Sequence, residues 1–183
     1  MIIGPRYKIA RRLGADIFQK TQSPKYALRV GKTLVKGYGR SEFGAQLKEK
    51  QRARFFYGLG ERQFSRYVKK AIARKGMRDD EALYMILETR LDSVIERLGL
   101  APSRQAARQY VSHGHFTVNG KRVTIPSYSV GVGDVIRLRE ASEKKPLFAH
   151  ARDSVRDRES PVWLRFDGQK LEATVVGMPK LTR

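Results

Sequence analysis

The fold is decided by residues 103–138, which read SRQAARQYVSHGHFTVNGKRVTIPSYSVGVGDVIRL. Ser103 is a favourable N-cap for a short basic helix over residues 104–112. Asn119-Gly120 stands between two β-prone runs, which is the strongest short signal for a two-residue hairpin turn. A final strand is predicted at residues 135–138. The stretch therefore predicts a small, rigid platform of helix, hairpin and strand.

Basic side chains converge on this platform. Arg104 and Arg108 lie one helical turn apart, so both project from the same face of the predicted helix. The hairpin brings Lys121 and Arg122 back near the end of that helix. A rigid platform that carries convergent cations is what binding a folded RNA backbone requires.

The charge of the whole chain also points to an anionic partner. The 183 residues include 38 Lys and Arg against 18 Asp and Glu, which gives a net charge of +20 at pH 7. The excess is concentrated at one end, because residues 1–75 hold 20 basic and 4 acidic side chains. Self-repulsion of this size disfavours a compact protein on its own, and a polyanion such as nucleic acid relieves it.

The rival use of a basic surface is binding to a membrane. No apolar run in the sequence approaches the roughly 20 residues that cross a bilayer as a helix. The opening residues, MIIGPRYKIARRLG, also lack the apolar core of a signal peptide. We therefore expect a nucleic-acid partner, no membrane, and a cytoplasmic location, with a plastid as the alternative.

We expect no cofactor and no metal. The chain has no cysteine, which excludes disulfides and thiolate metal sites. His113 and His115 flank Gly114, a spacing that chelates a metal only with ligands from elsewhere in the chain. These histidines are better explained as phosphate contacts or as caps of the preceding helix.

Helical periodicity begins near Glu42. Residues 46–57 predict one basic helix and residues 61–75 a second, and two more are predicted from Asp79 and Leu91. The second helix has a predicted core face, which consists of Phe64, Tyr67, Val68, Ala71 and Ile72. Its opposite face carries a cationic stripe, which consists of Arg62, Arg66, Lys69, Lys70 and Arg74.

The sequence contains no recognisable catalytic constellation. The segment TRLDS, residues 89–93, resembles the signature that carries the catalytic Asp of some pseudouridine synthases. Those enzymes place a large catalytic domain after an RNA-binding module, whereas here Asp92 precedes the module. Asp92 is better explained as a first-turn acid at the start of a helix. We therefore expect a protein that is not an enzyme, with an RNA-modifying fragment as the enzymatic alternative.

Three segments resemble the bacterial small-subunit ribosomal protein S-four family. They are residues 41–64, 87–136 and 161–167, and the match runs in register over roughly residues 36–183. The hairpin module alone also recurs in pseudouridine synthases, tyrosyl-tRNA synthetases and a heat-shock RNA binder. The upstream block YGLGERQF, residues 57–64, belongs to the ribosomal protein and makes the resemblance specific.

The resemblance implies a structural constituent of the 30S subunit. The family binds 16S rRNA at a multi-helix junction of the five-prime domain and nucleates assembly of the subunit body. It contacts the neighbouring ribosomal protein S-five, lines the path by which mRNA enters, and contributes to translational accuracy. Many relatives carry a four-cysteine zinc knuckle, so this cysteine-free chain would be a zinc-free variant. The non-ribosomal alternative is a free-standing RNA-binding chaperone that shares the module.

The implied fold is α+β, a mostly helical domain with an inserted RNA-binding module of two helices and a small antiparallel sheet. Residues 1–40 show no sustained period and are expected to form a flexible basic arm, largely disordered in the free protein. The helical rRNA-binding domain is assigned to residues 41–86 and the module to residues 87–150. Residues 151–183 are expected to return to the helical domain.

The candidate RNA-binding residues combine basic positions with neighbouring polar, histidine and aromatic side chains. They are Lys48, Lys50, Gln51, Arg52, Arg54, Tyr57, Arg62, Gln63, Arg66, Ser103, Arg104, Gln105, Arg108, His113, His115, Lys121 and Arg122. The glutamines can donate to phosphate or 2′-OH groups or be ordinary solvated residues, and Tyr57 is a candidate for stacking on a base. Tyr110 is better explained by core packing.

Overall fold

The computed structural model of the chain describes residues 4–14, 17–30, 41–149, 155 and 160–181. The chain divides into two compact units, Met1–Arg66 and Tyr67–Arg183. The division falls inside a helix, whereas the boundaries predicted from the sequence fall after residues 40, 86 and 150. Each unit is described by itself below.

The first unit is helical. It contains α1 (Arg6–Leu13), α2 (Pro24–Val30), α3 (Glu42–Phe56) and the start of α4 (Glu61–Ile72). Ser41 caps α3, because its side-chain oxygen accepts a hydrogen bond from the Gly44 N–H at 3.1 Å. Gly58, at a φ of 60°, permits the chain to leave α3 in a left-handed turn.

Helices α1 and α2 lie within residues 1–40, where the sequence showed no sustained period. Ala10 and Leu13 of α1 are buried, and Tyr7 stacks on Tyr26 with ring centroids 5.7 Å apart. The sequence interpretation missed these helices because each is only seven or eight residues long, too short for an apolar period to repeat. Disorder of the arm in the free protein stays a prediction, and residues 31–40 lie outside the described part of the chain.

The second unit contains α5 (Asp79–Glu88), α6 (Leu91–Arg97), α7 (Arg104–Ser112) and the short α8 (Glu140–Glu143). The predicted helices from Asp79, from Leu91 and over residues 104–112 are thereby confirmed. Ser103 caps α7 as expected, with its side-chain oxygen accepting from the Ala106 N–H at 3.3 Å. Apolar residues of α6 and α7, among them Val94 and Val111, are fully buried in one core.

Among the described residues, five antiparallel strands form one sheet in the order β2-β1-β3-β5-β4. They are β1 (Phe116–Val118), β2 (Lys121–Val123), β3 (Val135–Leu138), β4 (Leu164–Asp167) and β5 (Glu172–Val175). Asn119 and Gly120 have positive φ values of 50° and 76°, as a type I′ turn requires. The predicted hairpin and the strand at residues 135–138 are confirmed, and so is the α+β fold class.

The C-terminal strands complete the sheet of the module. β5 pairs with β3, with Ile136 opposite Ala173, and β4 pairs with the other side of β5. Leu164 and Val175 are buried in the same core as α6 and α7. The expected return of residues 151–183 to the helical domain is therefore wrong for these strands, whose alternating apolar residues extend the sheet instead. Between residues 150 and 159 only Val155 is described, and it is buried in the same core.

Candidate nucleic-acid interface

Helix α4 separates apolar from basic side chains. Phe64 and Ala71 are buried, and Tyr67 and Val68 are half-buried. Ile72 was assigned to the same core face, but it is 60% exposed because it is the last residue of the helix. The cationic stripe is solvent-exposed at Arg62, Arg66, Lys69, Lys70 and Arg74, but the helix ends at Ile72 and not at residue 75 as predicted, so Arg74 lies beyond its end. An exposed row of cations on a rigid helix is suited to contacting successive phosphates.

In the first unit, Glu61 forms ion pairs with two of the predicted RNA-binding cations. The Lys50 ammonium donates to Glu61 Oε1 at 2.6 Å, and Arg54 Nε lies 3.3 Å from Glu61 Oε2. The hydrogen bond from Lys50 lowers the pKa of the Glu61 carboxyl below its ordinary value, against the opposing effect of burial. The Arg54 guanidinium also lies over the Phe55 ring, 4.2 Å from its centroid. Lys50 and Arg54 are therefore oriented by protein contacts.

The other candidates in this unit differ in exposure. Arg52 is exposed and lies 3.9 Å from Glu49, whereas Lys48 is half-buried. Gln51 accepts a hydrogen bond from Arg54 at 2.8 Å, and Gln63 is half-buried. Tyr57 is buried, and its ring packs edge-on against Phe56. The suggested stacking of Tyr57 on a base therefore does not fit its position.

A buried ion network holds α6 and α7 together in the second unit. Asp92 accepts from Arg90 at 2.9 and 2.7 Å and from Arg108 at 3.0 and 2.8 Å. Arg90 also donates to the Tyr67 hydroxyl on α4. The Arg90 and Asp92 side chains are only 3% and 2% exposed. Burial works against the charge of Arg90, but the Asp92 carboxylate outweighs it and raises the pKa of the guanidinium.

Arg104 faces a second set of carboxylates. Its Nη2 lies 3.5 Å from Glu88 Oε1 and 3.4 Å from Glu96 Oε2, and its side chain is 11% exposed. Glu88 is fully buried and also accepts from Arg97 at 2.7 and 2.9 Å. The shared helical face of Arg104 and Arg108 thus turns towards the acids of α5 and α6. The signal that could have revealed this is the four-residue spacing of Glu88, Asp92 and Glu96, which matches the spacing of the two arginines.

Asp92 has the role that the sequence suggested and one more. It lies in the first turn of α6, as a first-turn acid should. Its burial between two arginines adds a structural role that the sequence did not reveal. Arg108 is the more accessible of those partners, at 26% exposed. Asp92 therefore fixes the direction in which the accessible edge of Arg108 faces.

The two histidines of the turn after α7 have different environments. His113 is exposed and is the C-cap of α7, one of the two roles expected for it. His115 is 6% exposed, and its Nδ1 lies 2.9 Å from the Ser142 hydroxyl. Burial lowers the pKa of His115, and nearby cations, beginning with Lys145, lower it further. A phosphate contact from His115 therefore does not fit this structure.

The remaining candidates flank the hairpin and α7. Lys121 and Arg122 are exposed on β2, an edge strand of the sheet. Gln105 is half-buried on α7. Tyr110 packs edge-on against Phe148 with ring centroids 5.4 Å apart, so its predicted core role is confirmed.

Two further properties limit the chemistry of the described residues. Within this part of the chain, no group of three or more His, Cys, Asp or Glu side chains is placed to hold a metal ion. None of the helices that the structure describes is both long and apolar enough to cross a membrane. What the site offers is arranged cations, of which some are exposed and some are locked in internal ion pairs.

Two family models match the chain one after the other. Residues 1–88 match the Ribosomal protein S4/S9 N-terminal domain, and residues 89–136 match the S4 domain. The second match begins at Thr89 and so covers α6, α7, the first two strands and the start of β3.

The chain is also similar to proteins named Small ribosomal subunit protein uS4. The protein of Ruminiclostridium cellulolyticum is 46% identical over 180 residues, covering 94% of this chain and 86% of the relative. That of Heliobacterium modesticaldum is 43% identical, covering 97% and 88%. That of Acetivibrio thermocellus is 51% identical over 139 residues, covering 76% and 66%. The resemblance seen in the sequence is therefore confirmed, and the chain belongs to the small ribosomal subunit protein uS4 family, the family of ribosomal protein S-four.

Proposed function

We propose that this chain is a structural, non-catalytic constituent of the small ribosomal subunit and a primary binder of 16S rRNA. The observation that carries the proposal is its similarity to small ribosomal subunit proteins over nearly its whole length. The exposed cations of α4 and β2 and the net charge of +20 supply the physical means. Its RNA target is the multi-helix junction of the five-prime domain, the target expected of the family.

Exposed and internally paired cations have different parts in this proposal. Phosphate contacts come from the accessible side chains, with Lys48, Lys50, Arg52, Arg62, Arg66, Lys121 and Arg122 as candidates. The partly exposed edges of Arg54 and Arg108, which also pair with carboxylates, are further candidates. Neutralising phosphates releases counterions, which makes the affinity strongly salt-dependent. Specificity comes from RNA shape, since A-form grooves hide the base edges and guanidinium forks select phosphate spacings.

The buried carboxylates set the geometry of this surface. Asp92 and Glu88 hold Arg108 and Arg104 against α6 and α5, so α7 is locked in one orientation. Arg104 is thereby assigned a positioning role first, because its guanidinium is directed at Glu88 and Glu96. The result is a preorganised module that loses little conformational freedom when it binds RNA.

The finer assignments rest on family membership. In this proposal the chain nucleates assembly of the 30S body, contacts ribosomal protein S-five, lines the path by which mRNA enters and contributes to translational accuracy. It acts in the cytoplasm, bound to ribosomes. A free-standing RNA chaperone is the weaker candidate, since residues 1–88 match a ribosomal N-terminal domain in addition to the shared module.

Sedimentation of ribosomal subunits tests the proposal. The tagged full chain is expressed in a bacterium, and subunits are separated on sucrose gradients after a high-salt wash. The expected result is comigration with the small subunit at near one copy per particle. Comigration with large subunits alone, or release of the chain by the wash, would reject the proposal in favour of the chaperone.

A further inference from the structure

The turn between α7 and β1 brings together cations from distant parts of the chain. Arg122 Nη2 donates to the carbonyl oxygen of His113 at 3.1 Å, and Arg139 Nη1 donates to the carbonyl oxygen of Gly114 at 3.1 Å. The same turn contains buried His115, whose Nδ1 lies 2.9 Å from the Ser142 hydroxyl, and the Lys145 N–H donates to the Ser142 carbonyl oxygen at 3.0 Å. Arg139 and Lys145 lie outside the residues that match the S4 domain, and the sequence did not single them out.

This cluster has a surplus of positive charge. The His113 and His115 rings lie 6.0 Å apart between centroids, and Arg122 and Arg139 contact the backbone of the same turn. Among the residues that the structure describes, no carboxylate forms an ion pair with Arg122, Arg139 or Lys145. The contrast with Arg90, Arg104 and Arg108, which all face carboxylates, is clear. Cations that form no ion pair of their own are suited to an external anion.

The arginines keep donors for such an anion. Each uses one terminal N–H group on a backbone carbonyl of the turn, whereas a guanidinium carries five N–H donors in a planar fork. The hydrogen bond to the carbonyl oxygen fixes the direction of the guanidinium, and its remaining N–H donors can bind a ligand. Arg122, His113 and Lys145 are solvent-exposed, and Arg139 is half-buried. A phosphate oxygen is the acceptor that such forks bind best.

Gly114 determines where the Arg122 guanidinium lies. The glycine has a φ of 71°, and the guanidinium packs directly on it. A Cβ atom at this position would lie 2.6 Å from Arg122 Nη2 and 2.7 Å from Cζ, closer than any real contact. The obstacle is the end of a flexible side chain, so an added methyl group would push the guanidinium away while the fold survives.

We propose that Arg122, Arg139, Lys145 and His113 form a binding site for one RNA phosphodiester, and that Gly114 positions Arg122 within it. The proposal rests on the proposed function, since the phosphodiester belongs to the 16S rRNA that the chain binds. It adds two binding residues beyond those that match the S4 domain, Arg139 and Lys145, and a glycine that acts through a neighbouring side chain.

The test measures binding of the full chain to a five-prime-domain fragment of 16S rRNA across a salt series. Arg122→Ala should weaken binding about ten- to a hundredfold, the usual effect of losing one charge-assisted contact. It should also reduce the slope of log affinity against log salt by about one. The charge-matched control is Lys170→Ala, on the exposed turn between β4 and β5, which should change neither quantity. Arg139→Gln and Lys145→Ala should each reduce the slope as Arg122→Ala does.

The Gly114→Ala variant distinguishes a role of Gly114 in positioning the Arg122 guanidinium from a role in folding. Its matched control is Gly133→Ala, because Gly133 has a φ of 90° and open space where a Cβ would lie. Both variants place an alanine at a positive φ and lose stability for that reason, but only Gly114→Ala should weaken RNA binding. In the Arg122→Ala background the Gly114→Ala change should have no further effect on affinity, since neighbours that act through one group are not additive. Additive losses would overturn the positioning role.

The binding experiment distinguishes a missing phosphodiester site from a chain that does not bind 16S rRNA at all. If the wild-type chain does not bind the fragment, the proposed function fails. If the wild type binds and Arg122→Ala keeps the wild-type salt slope, only the phosphodiester site fails. Inorganic phosphate, titrated at matched ionic strength, is the second arm. Tight phosphate binding that Arg122→Ala abolishes, with RNA affinity unchanged, would assign the site to a free anion and reject the RNA phosphodiester.

Discussion

Asp92→Ala tests the buried ion network that joins α6 and α7. The variant leaves the Arg90 guanidinium, 3% exposed, without its carboxylate partner, and Arg108 loses the same carboxylate. Removing one partner of a buried ion pair costs about 3–5 kcal/mol. For a chain of this size, each kcal/mol lowers the unfolding midpoint by about 2–4 °C. We therefore expect the midpoint to fall by about 6–20 °C.

Thermal unfolding followed by circular dichroism measures the effect. The matched control is Glu140→Ala, because Glu140 is 81% exposed and its ion pair with Arg137, at 3.3 Å, is solvent-accessible. Such a pair contributes about 0–1 kcal/mol, so the control should melt within about 4 °C of the wild type. Replacing both buried partners, Arg90→Met with Asp92→Leu, should recover much of the loss. A midpoint for Asp92→Ala as close to the wild type as that of the control would refute this account of the network.

Three other expectations concern pH, order and decoding. Because burial lowers the folded-state pKa of His115, its neutral form stabilises the fold above about pH 6.5, and this stabilisation is lost as the pH falls below that value. In denaturant titrations at falling pH, the free energy of unfolding of His115→Gln should decrease less than that of the wild type. The exposed-site control His113→Gln should lose as much as the wild type. Limited proteolysis should cut residues 1–40 in the free protein and spare them on the ribosome. If residues 1–40 of the free protein resist cleavage as well as residues 87–140 do, the predicted disorder of residues 1–40 is contradicted. Asp167→Asn keeps the side-chain oxygen that accepts a hydrogen bond from the Gln169 N–H and removes one exposed charge. If this turn contacts S-five, a reporter assay should show more miscoding at a normal yield of small subunits.

Local signals predicted the module well because its elements are set by neighbouring residues. The Ser103 cap and the Asn119-Gly120 turn each depend on contacts within a few positions, and the strand at residues 135–138 consists mostly of β-prone residues. The division of α4 into an apolar and a basic face follows from helical period alone. These are the features for which one sequence carries enough information.

Other features depended on contacts between distant positions. Arg104 and Arg108 were interpreted as exposed cations, since the sequence does not show that Glu88, Asp92 and Glu96 face them across a helix pair. His115 was predicted to contact phosphate or to cap the preceding helix, because the burial of its ring depends on Ser142 and Phe148, far along the chain.

Sheet order was likewise outside the reach of local patterns. The sequence does not show that β5 pairs with β3. Strand partners are chosen by the tertiary fold, and the resemblance alone had suggested a return to the helical domain. The structure shows instead that the C-terminal residues complete the core of the module.

Direct binding to naked rRNA tests the central claim, that arranged cations on a preorganised fold recognise 16S rRNA. The purified full chain is titrated with the five-prime domain and with a second 16S fragment of equal length, between 50 and 200 mM salt. With six or more phosphate contacts, affinity for the five-prime domain should fall by about a thousandfold or more over that range. It should exceed the affinity for the other fragment at every salt concentration. Equal affinity for the two fragments, or an affinity that salt does not change, would contradict the claim.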